Sequence, residues 1–380
     1  MWLRYKMADH IKFLKQTLKL AKKGKGLVSP NPVVGAVIVR KSKIVGTGYH
    51  TAYGLPHAEV EAIEKAGKNC KGATLYVNLE PCCHYGKTPP CTEKIISSGI
   101  KEVISCMKDP NPLVNGNGFK ILEENGIKVR IFPVNDCYEI NSPYITYIKE
   151  KRPYIILKWA QSIDGKIATR NGGSKWITGE KARNFIREKR FEIDGIVVGV
   201  NTILKDNPFL DYIPPEFKIK KKFLERKRYY KIVIDPYLKT PVESNIWKNE
   251  KAKILIFISD KTEKEEISLY EKKANTELIP LPLKNGMFPI DDFLSELYRR
   301  EIGIIMVEGG GKTLTWFFEN RKVDELFIFI GNKLLGGEKS ISAIGGNGYS
   351  DVEKGVYLED REIEFFDNDI LIKGKPCFQG

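Results

Sequence analysis

Alternating strand-like and helix-like segments run through this chain in two successive series. In the first series, residues 33–48 predict a β-hairpin. Two further strands, at 73–82 and 101–107, alternate with helices at 57–67 and 91–100. A β-α-β-α-β order after an initial hairpin must bury helices on both faces of one sheet. The first series therefore predicts a three-layer α/β sandwich.

An amphipathic helix is predicted before the hairpin, over residues 9–23, with Asp9 as a suitable N-cap. Four apolar residues recur along it at helical spacing: Ile11, Leu14, Leu18 and Ala21. We expect this face to pack against the sheet.

The second series is about 230 residues long and alternates strands and helices again. Its strands include 154–162, 195–200 and 253–259, and its helices include 180–193 and 291–300. Such alternation favours a mostly parallel sheet, and no internal repeat relates this series to the first.

The pattern loosens over residues 142–155, which are charged and contain prolines. We expect a linker there, between separate α/β domains at 1–148 and 152–380. A length of 380 residues is sufficient for two or three domains.

Composition excludes several classes of protein. No apolar run approaches the ~20 residues of a membrane-spanning helix, and the N-terminus lacks the apolar core of a secretory signal. Seven cysteines, an odd number, indicate the reducing cytoplasm, so a disulfide-rich extracellular scaffold is not expected.

The net charge of +14 suits a nucleic-acid binder or an enzyme for phosphorylated substrates. Much of the excess is local, because residues 216–231 contain eight lysines and arginines against two glutamates. Such a run is typical of a solvated loop. Binding of RNA or of an acidic metabolite by this stretch stays open.

The stretch "NLEPCCHYGKTPPC", residues 78–91, concentrates three cysteines downstream of the "HAE" that begins at His57. A hydrolytic zinc ion needs three protein ligands and one open position, which His57, Cys82 and Cys91 can supply. Glu59, near the metal without ligating it, can transfer the proton of the attacking water to a leaving amine. This is the H-x-E…P-C signature of zinc deaminases.

Two other interpretations of the same stretch are weaker. A disulfide knot is disfavoured by the predicted compartment. A structural zinc would need a fourth ligand such as His84, which would leave Glu59 without a task. Cys83 is a spare thiol that we interpret as packing beside the site.

Five motifs follow one another through residues 7–148: "SPNPVVGAVIV", "GTGYH", "HAEVEAI", "LEPCCHYGKTPPC" and "DPNPLVNGNGFKILEENGI". Together they resemble the deaminase domain of the bifunctional riboflavin-biosynthesis deaminase–reductase family, which implies a cytidine-deaminase-like fold. The resemblance implies that Asn31 and His50 contact the pyrimidine or ribose. It also implies that four residues hold the ribose-phosphate end of the substrate: His84, Lys87, Asp109 and Asn111.

In the second half, "VEGGGKTLTWFF" (307–318) joins a buried strand to a helix. It departs from the Walker pattern at Met306 and from G-x-G-x-x-G at Leu314. A glycine turn at a helix N-terminus still presents N–H groups to an anion such as a dinucleotide pyrophosphate. A plain strand-to-helix turn is the alternative.

The motifs "SIDGKIA", "WITG", "GVNTILKDNPFL" and "VEGGGKTL" occur in order over about 150–375. They resemble the reductase domain of the same family, which implies a dihydrofolate-reductase-like fold and NADPH as cofactor. The resemblance implies NADP contacts at Ala160, Trp176, Thr202, Asp206, Gly310, Gly311, Lys312, Thr313, Leu314, Thr315 and Trp316. It implies substrate contacts at Lys158, Ser174, Arg190, Leu210 and Glu308.

Two positions depart from the family pattern. Ile213 stands where the family often has an arginine, and Pro236 stands where a serine is often found after "VID". The phosphate grip is therefore expected from Arg183, Arg190 or the basic stretch.

The resemblance implies two consecutive steps of riboflavin synthesis, with Zn²⁺ and NADPH as cofactors. A phosphorylated pyrimidine would be deaminated, and its ribosyl chain would then be reduced to ribityl. Phosphorylated pyrimidines are the expected partners, without nucleic acid or membrane, in a homo-oligomer that is a dimer or tetramer. The rivals are a tRNA-editing deaminase, which the charge favours, and a zinc-stabilised scaffold without catalysis.

Overall fold

A computed structural model of the protein describes residues 2–214, 219, 221–249 and 251–379. The chain divides into two compact units. The first comprises Met1–Arg152 and Ile219–Lys227, and the second comprises Pro153–Lys218 and Arg228–Gly380. Among the described residues, no helix combines the length and apolarity needed to cross a membrane.

The first unit is a sheet with helices on both faces. Its strands are β1 (Gly35–Arg40), β2 (Lys43–Tyr49), β3 (Thr74–Val77), β4 (Glu102–Ser105) and β5 (Lys128–Ile131). Its helices are α1 (Trp2–Ala21), α2 (Ala58–Ala66), α3 (Cys91–Ser97), α4 (Asn117–Glu124), α5 (Asn135–Ile140) and α6 (Ser142–Glu150).

The strand order is β2-β1-β3-β4-β5, with β1 antiparallel to β2 and β3 and the last three strands parallel. Side chains of β1 alternate between two cores, because neighbouring residues of a strand point to opposite faces. Ala36 and Ile38 pack with α2 and α3, whereas Val37 and Val39 pack with α1. The first unit is thus the predicted three-layer sandwich.

The second unit is built on a larger sheet. Its strands are β6 (Tyr154–Ser162), β7 (Lys166–Ala168), β8 (Gly195–Gly199), β9 (Tyr230–Ile234), β10 (Lys253–Ser259), β11 (Thr276–Leu281), β12 (Ile304–Val307), β13 (Glu325–Gly331), β14 (Ile341–Ser342), β15 (Tyr357–Phe366) and β16 (Asp369–Cys377). Its helices are α7 (Glu180–Glu192), α8 (Val200–Asp206), α10 (Lys264–Glu271), α11 (Ile290–Arg299) and α12 (Gly311–Glu319), while α9 (Lys221–Leu224) belongs to the first unit.

The main sheet has the order β11-β10-β9-β8-β12-β6-β13-β16-β15, and β7 pairs with β14 apart from it. Strands β11 to β13 along this order are parallel, and the β15–β16 hairpin is antiparallel. On β10, Ile256 and Phe257 belong to the cores on opposite faces. The predicted mostly parallel sheet is therefore confirmed, with an antiparallel edge that the sequence analysis did not predict.

Two expectations for local structure were wrong, and a third is only partly covered by the described residues. The first helix begins before Asp9, so Asp9 lies inside it instead of capping it, and Ile11 is exposed. The expected linker contains a helix, α6, whose Tyr144 is buried. Part of the basic stretch, residues 216–218 and 220, lies outside the described residues, and Lys231 at its end is buried.

The cysteines of residues 78–91 are free, whereas Cys106 and Cys137 form a disulfide inside the first unit. Both paired cysteines are buried against α1 and the sheet. Their spacing along the chain does not predict this pair, and it is an exception to the expected reduced thiols.

Two glycines of β2 set the position of α2. A Cβ at Gly46 would lie 2.3 Å from the carbonyl oxygen of Ala62, and one at Gly48 would lie 2.2 Å from that of Ala58. The helix backbone therefore rests directly on the strand, with its first residues fixed beside the end of the hairpin.

Substituting Gly48→Ala should destabilise the first unit by about 1–3 kcal/mol, because the new methyl group pushes α2 away from the strand. Hydrogen exchange of the α2 amides, read by mass spectrometry, measures the change. Gly86→Ala is the control, since its nearest neighbour to the added Cβ is His84 Nε2 at 3.9 Å. Equal exchange in both variants would contradict the close approach.

Candidate active sites

Three side chains from separate elements meet in the first unit. His57 precedes α2, Cys82 lies in the loop after β3, and Cys91 is the first residue of α3. His57 Nδ1 is 3.4 Å from Cys82 Sγ and 3.3 Å from Cys91 Sγ. All three ligand atoms lie within 4.8 Å of one another, which suits a single metal ion.

The donor set fits zinc. One imidazole and two sulfurs leave a fourth position open, as in a hydrolytic zinc site. The hydrogen bond with Cys91 outweighs burial and, together with His57, holds the pKa of the Cys82 thiol well below its ordinary value. A thiolate is the form that ligates metal, so this sulfur is ready to bind.

Glu59 lies two residues after His57 and is 3% exposed. Its Oε2 atom is buried without a hydrogen-bond partner among the described residues. Burial raises the pKa of Glu59 to about 7. A buried carboxyl oxygen without a hydrogen-bond partner, next to three metal donors, is suited to accept the proton of a metal-bound water.

A cavity of about 260 Å³ opens above these residues. Nine predicted site residues line it: Asn31, His50, His57, Glu59, Cys82, His84, Lys87, Asp109 and Asn111. Cys91, the remaining metal donor, is fully buried. The structure thus brings the whole predicted set of the first half together.

Hydrogen bonds define the state of His50, which is buried. Its Nδ1 lies 3.2 Å from the carbonyl oxygen of Pro56, which can only accept, so Nδ1 carries the proton. Its Nε2 then accepts from the Asn31 side chain at 3.3 Å. Burial, with the neighbouring His57, lowers the pKa of His50 to about 4. A neutral imidazole therefore faces the cavity.

Asp109 is fixed on the opposite side. Its Oδ1 accepts hydrogen bonds from the Tyr144 hydroxyl and the Asn111 N–H, both at 2.8 Å. Its own N–H donates to Glu80, which also accepts from two other backbone N–H groups. Burial raises the pKa of Asp109 to about 6.

Cys83 and His84 do not join the three-residue metal cluster found among the described residues. Cys83 Sγ contacts the carbonyl oxygen of Leu113 instead, at 3.6 Å. The lining residues that sequence reasoning missed include Tyr53, Thr88, Tyr144 and Tyr147. None of these lies in a ligand pattern, and Tyr144 lay in the expected linker.

Charged groups pair closely in the second unit. Arg190 holds Glu308 through two hydrogen bonds, from Nε to Oε1 at 2.7 Å and from Nη2 to Oε2 at 2.8 Å. Lys158 Nζ lies 3.5 Å from the same carboxylate. Burial opposes the charge, but Arg190 and Lys158 outweigh it and hold the pKa of Glu308 at about 2.

The glycine turn before α12 has the geometry expected for an anion site. Gly309 has φ +122°, which L-residues rarely adopt, and a Cβ at Gly311 would lie 3.0 Å from the Ser342 carbonyl oxygen. The Gly310 N–H donates to Thr202 at 3.0 Å. The first N–H groups of the helix, at Gly311 and Lys312, have no acceptor within it and can face a phosphate.

Some residues expected at these contacts also pack inside the unit. The side chains of Leu314 and Leu210 pack in the hydrophobic cores, and Trp316 packs edge-on against Phe293. Their contacts with a ligand stay a prediction. Thr313 is buried beside Gly199, whose added Cβ would lie 2.5 Å from Thr313 Oγ1. Packing inside the unit fixes the side chains of Leu210, Thr313, Leu314 and Trp316, and a motif match does not reveal this packing.

The remaining expected residues lie around the turn and α8. Ser174 donates to Asp206 at 3.1 Å, and Trp176 is 60% exposed with the Arg183 guanidinium 4.4 Å from its ring centroid. Ala160 is half-buried on β6, Lys312 is exposed, and Thr315 donates to the Gly311 carbonyl oxygen.

Family comparisons agree with both halves. A model described as "RibD C-terminal domain" matches residues 153–372, and one described as "Cytidine and deoxycytidylate deaminase zinc-binding region" matches residues 7–107. The riboflavin biosynthesis protein RibD of Aquifex aeolicus (strain VF5) is 42% identical over 363 residues, 95% of this chain and 96% of that protein. The chain belongs to the RibD family.

Solved RibD structures share the whole fold. A diaminohydroxyphosphoribosylaminopyrimidine deaminase/5-amino-6-(5-phosphoribosylamino)uracil reductase from Thermotoga maritima has a TM-score of 0.81 at 35% identity, covering 97% of this chain and 99% of that chain. RibD of Acinetobacter baumannii, form 2, has a TM-score of 0.85 at 28% identity, covering 98% and 100%.

As a RibD protein, the chain is a bifunctional riboflavin-biosynthesis enzyme with deaminase and reductase activities. Its cofactors are zinc in the deaminase domain and NADPH in the reductase domain. The expected cytidine-deaminase-like and reductase folds are confirmed.

Replacing Glu308 with Gln should destabilise the reductase unit by roughly 3 kcal/mol or more, because the buried Arg190 loses its counterion. Urea unfolding followed by tryptophan fluorescence measures this. The folded pKa of about 2 lies below the ordinary 4.5. The difference between wild type and variant should therefore be constant above pH 5 and shrink as the pH falls from 4.5 through 2.

Lys181→Ala is the matched control. It removes the exposed pair with Asp367, whose distance is 2.6 Å, and should cost less than about 1 kcal/mol. A similar loss in the two variants would mean that the Arg190–Glu308 pair contributes no more than a surface ion pair.

Proposed function

We propose that the first unit deaminates 2,5-diamino-6-ribosylamino-4(3H)-pyrimidinone 5′-phosphate and that the second reduces the ribosyl chain of the product. The observation that carries the first step is the orphaned Glu59 oxygen beside the His57, Cys82 and Cys91 donors. The name of the Thermotoga maritima relative, similar over nearly the whole chain, supports the substrate class.

His57, Cys82 and Cys91 would hold the zinc ion. Bound there, zinc is a Lewis acid that makes water nucleophilic near neutral pH. Glu59 accepts the proton of the attacking water and delivers it to the leaving amine. A carbon–oxygen bond replaces the carbon–nitrogen bond at the amino-bearing ring carbon, and ammonia leaves.

Substrate orientation depends on residues around the cavity. Asn31, whose amide keeps one N–H and its oxygen beside the bond to His50, would hydrogen-bond the pyrimidine or ribose, and the neutral His50 would contact the same part of the substrate and orient Asn31. Asp109 and Asn111 offer acceptors and donors to the ribose end. Lys87 and His84 would hold the phosphate, for which an ammonium is a natural partner. The positive net charge favours phosphorylated substrates in general.

In the second unit, the N–H groups of Gly311 and Lys312 would hold the NADPH pyrophosphate, with Thr202, Asp206 and Trp176 around the dinucleotide. NADPH supplies the hydride that reduces C1′ of the opened ribosyl chain. Lys158, Arg190, Ser174 and the Glu308 that pairs with the two cations would position the sugar phosphate. Paired charges at fixed positions orient a substrate without reorganising during the reaction.

We also propose that the enzyme is a homo-oligomer, a dimer or tetramer, in the cytoplasm. Exposed apolar side chains on β15, Ile363 at 60% and Phe365 at 72%, support self-association. Analytical ultracentrifugation of the full chain measures its mass in solution, and a value of 43.3 kDa, the mass of one chain, would contradict the oligomer.

The purified enzyme should contain zinc and release ammonia from the pyrimidine phosphate, and it should oxidise NADPH when the deaminated product is supplied. If ammonia were released from tRNA and not from the pyrimidine phosphate, the first unit would be a tRNA-editing deaminase instead. The basic stretch and the positive net charge are the features that favour this tRNA-editing alternative.

Glu59→Gln should lower the rate of ammonia release by about 10²–10⁴-fold, because the proton transfer loses its shuttle. Zinc content, measured by mass spectrometry of the metal, should be unchanged, since Glu59 is not a ligand. NADPH oxidation by the same variant is the internal control. Unchanged ammonia release would favour the zinc-stabilised scaffold over a catalytic site.

A further inference from the structure

We propose that Tyr53 is a positioning residue of the deaminase site, whose phenol holds the Lys87 ammonium where it receives the substrate phosphate. The inference rests on the proposed function of the first unit. It adds a residue to which neither the sequence motifs nor the metal chemistry assigns a role.

The contact has two components. Lys87 Nζ donates a hydrogen bond to the Tyr53 hydroxyl at 2.8 Å. The same nitrogen lies 4.0 Å from the centroid of the Tyr53 ring, within the range of a cation–π interaction. Both side chains line the cavity that also contains His57 and Glu59.

The two partners differ in how firmly they are held. The Tyr53 N–H donates to the Leu27 carbonyl oxygen at 2.9 Å, and the preceding Ala52 is fully buried. Lys87 is exposed in the turn where the Gly86 N–H donates to the Thr88 carbonyl oxygen at 3.2 Å. The hydrogen bond to Tyr53 therefore holds the Lys87 side chain, which belongs to an exposed turn, against a fixed part of the cavity wall.

The contact between Tyr53 and Lys87 should directly affect binding of the substrate phosphate. A lysine side chain has several flexible bonds and loses part of its rotamer entropy when it binds an anion. Holding Lys87 beforehand reduces that loss at the moment of binding.

The effect should be confined to binding of the phosphate end. Tyr53→Phe removes the hydroxyl and keeps the ring, so it should raise KM for the phosphorylated substrate roughly three- to tenfold and leave kcat unchanged. For the same compound without its 5′-phosphate, neither constant should change. Lys87→Met should raise the same KM further, and adding Tyr53→Phe to it should have no additional effect.

Tyr85→Phe is the matched control. It makes the same Tyr-to-Phe change in the loop that carries Lys87, but the Tyr85 hydroxyl donates to Glu93, at 2.8 Å. It should leave both substrates unaffected. Zinc content and the melting temperature of each variant show whether the fold is intact.

Three results would overturn the inference: an equal change in KM for both forms of the substrate, a loss of kcat at constant KM, or an additional effect of Tyr53→Phe in the Lys87→Met background. Failure of the wild-type enzyme to release ammonia from the phosphorylated substrate is a separate outcome. It would overturn the proposed function itself, and the inference with it.

Discussion

The deaminase unit depends on the close approach of one helix to one strand. Gly46 and Gly48 let α2 rest directly on β2, which fixes the start of the helix, and His57 and Glu59 with it. The two sulfurs come from different places, one from the loop after β3 and one from the start of α3. Because the ligands are brought together only by the finished fold, metal binding and folding of this unit are coupled.

The reductase unit organises charge in a different way. It places a buried carboxylate, Glu308, at the end of a central parallel strand and surrounds it with Arg190 and Lys158. The carboxyl ends of parallel strands are where α/β folds bind ligands. The adjoining glycine turn presents N–H groups at the same end of β12, so anion binding and the charged cluster share one edge of the sheet.

Much of the fold could be predicted because apolar periodicity reports burial. Strand β6 and helix α7 were predicted to within a residue, since each has a clear pattern and clear ends. The segment around Tyr144 was misjudged as a linker because its charges hide a short amphipathic helix. The β15–β16 hairpin was missed because its exposed strand lacks the continuous apolar run of a buried one.

The metal ligands could also be predicted, since chemistry restricts which residues can serve. The tyrosines that also line the cavity could not be predicted, because they carry no ligand pattern. Leu210, Leu314 and Trp316 show that a motif match does not reveal where a side chain packs. They match a family motif in sequence, while their side chains complete the hydrophobic core. A motif preserves a backbone geometry as well as a set of contacts, and only the structure separates the two.

Helix α6 has a consequence for dividing the protein. Its Tyr144 donates a hydrogen bond to Asp109 in the wall of the cavity, and it is the last helix before the second unit begins at Pro153. A fragment ended at Asn141, just before the segment expected to be a linker, would keep every metal ligand and yet lose one side of the pocket. An excised deaminase should therefore extend through Glu150.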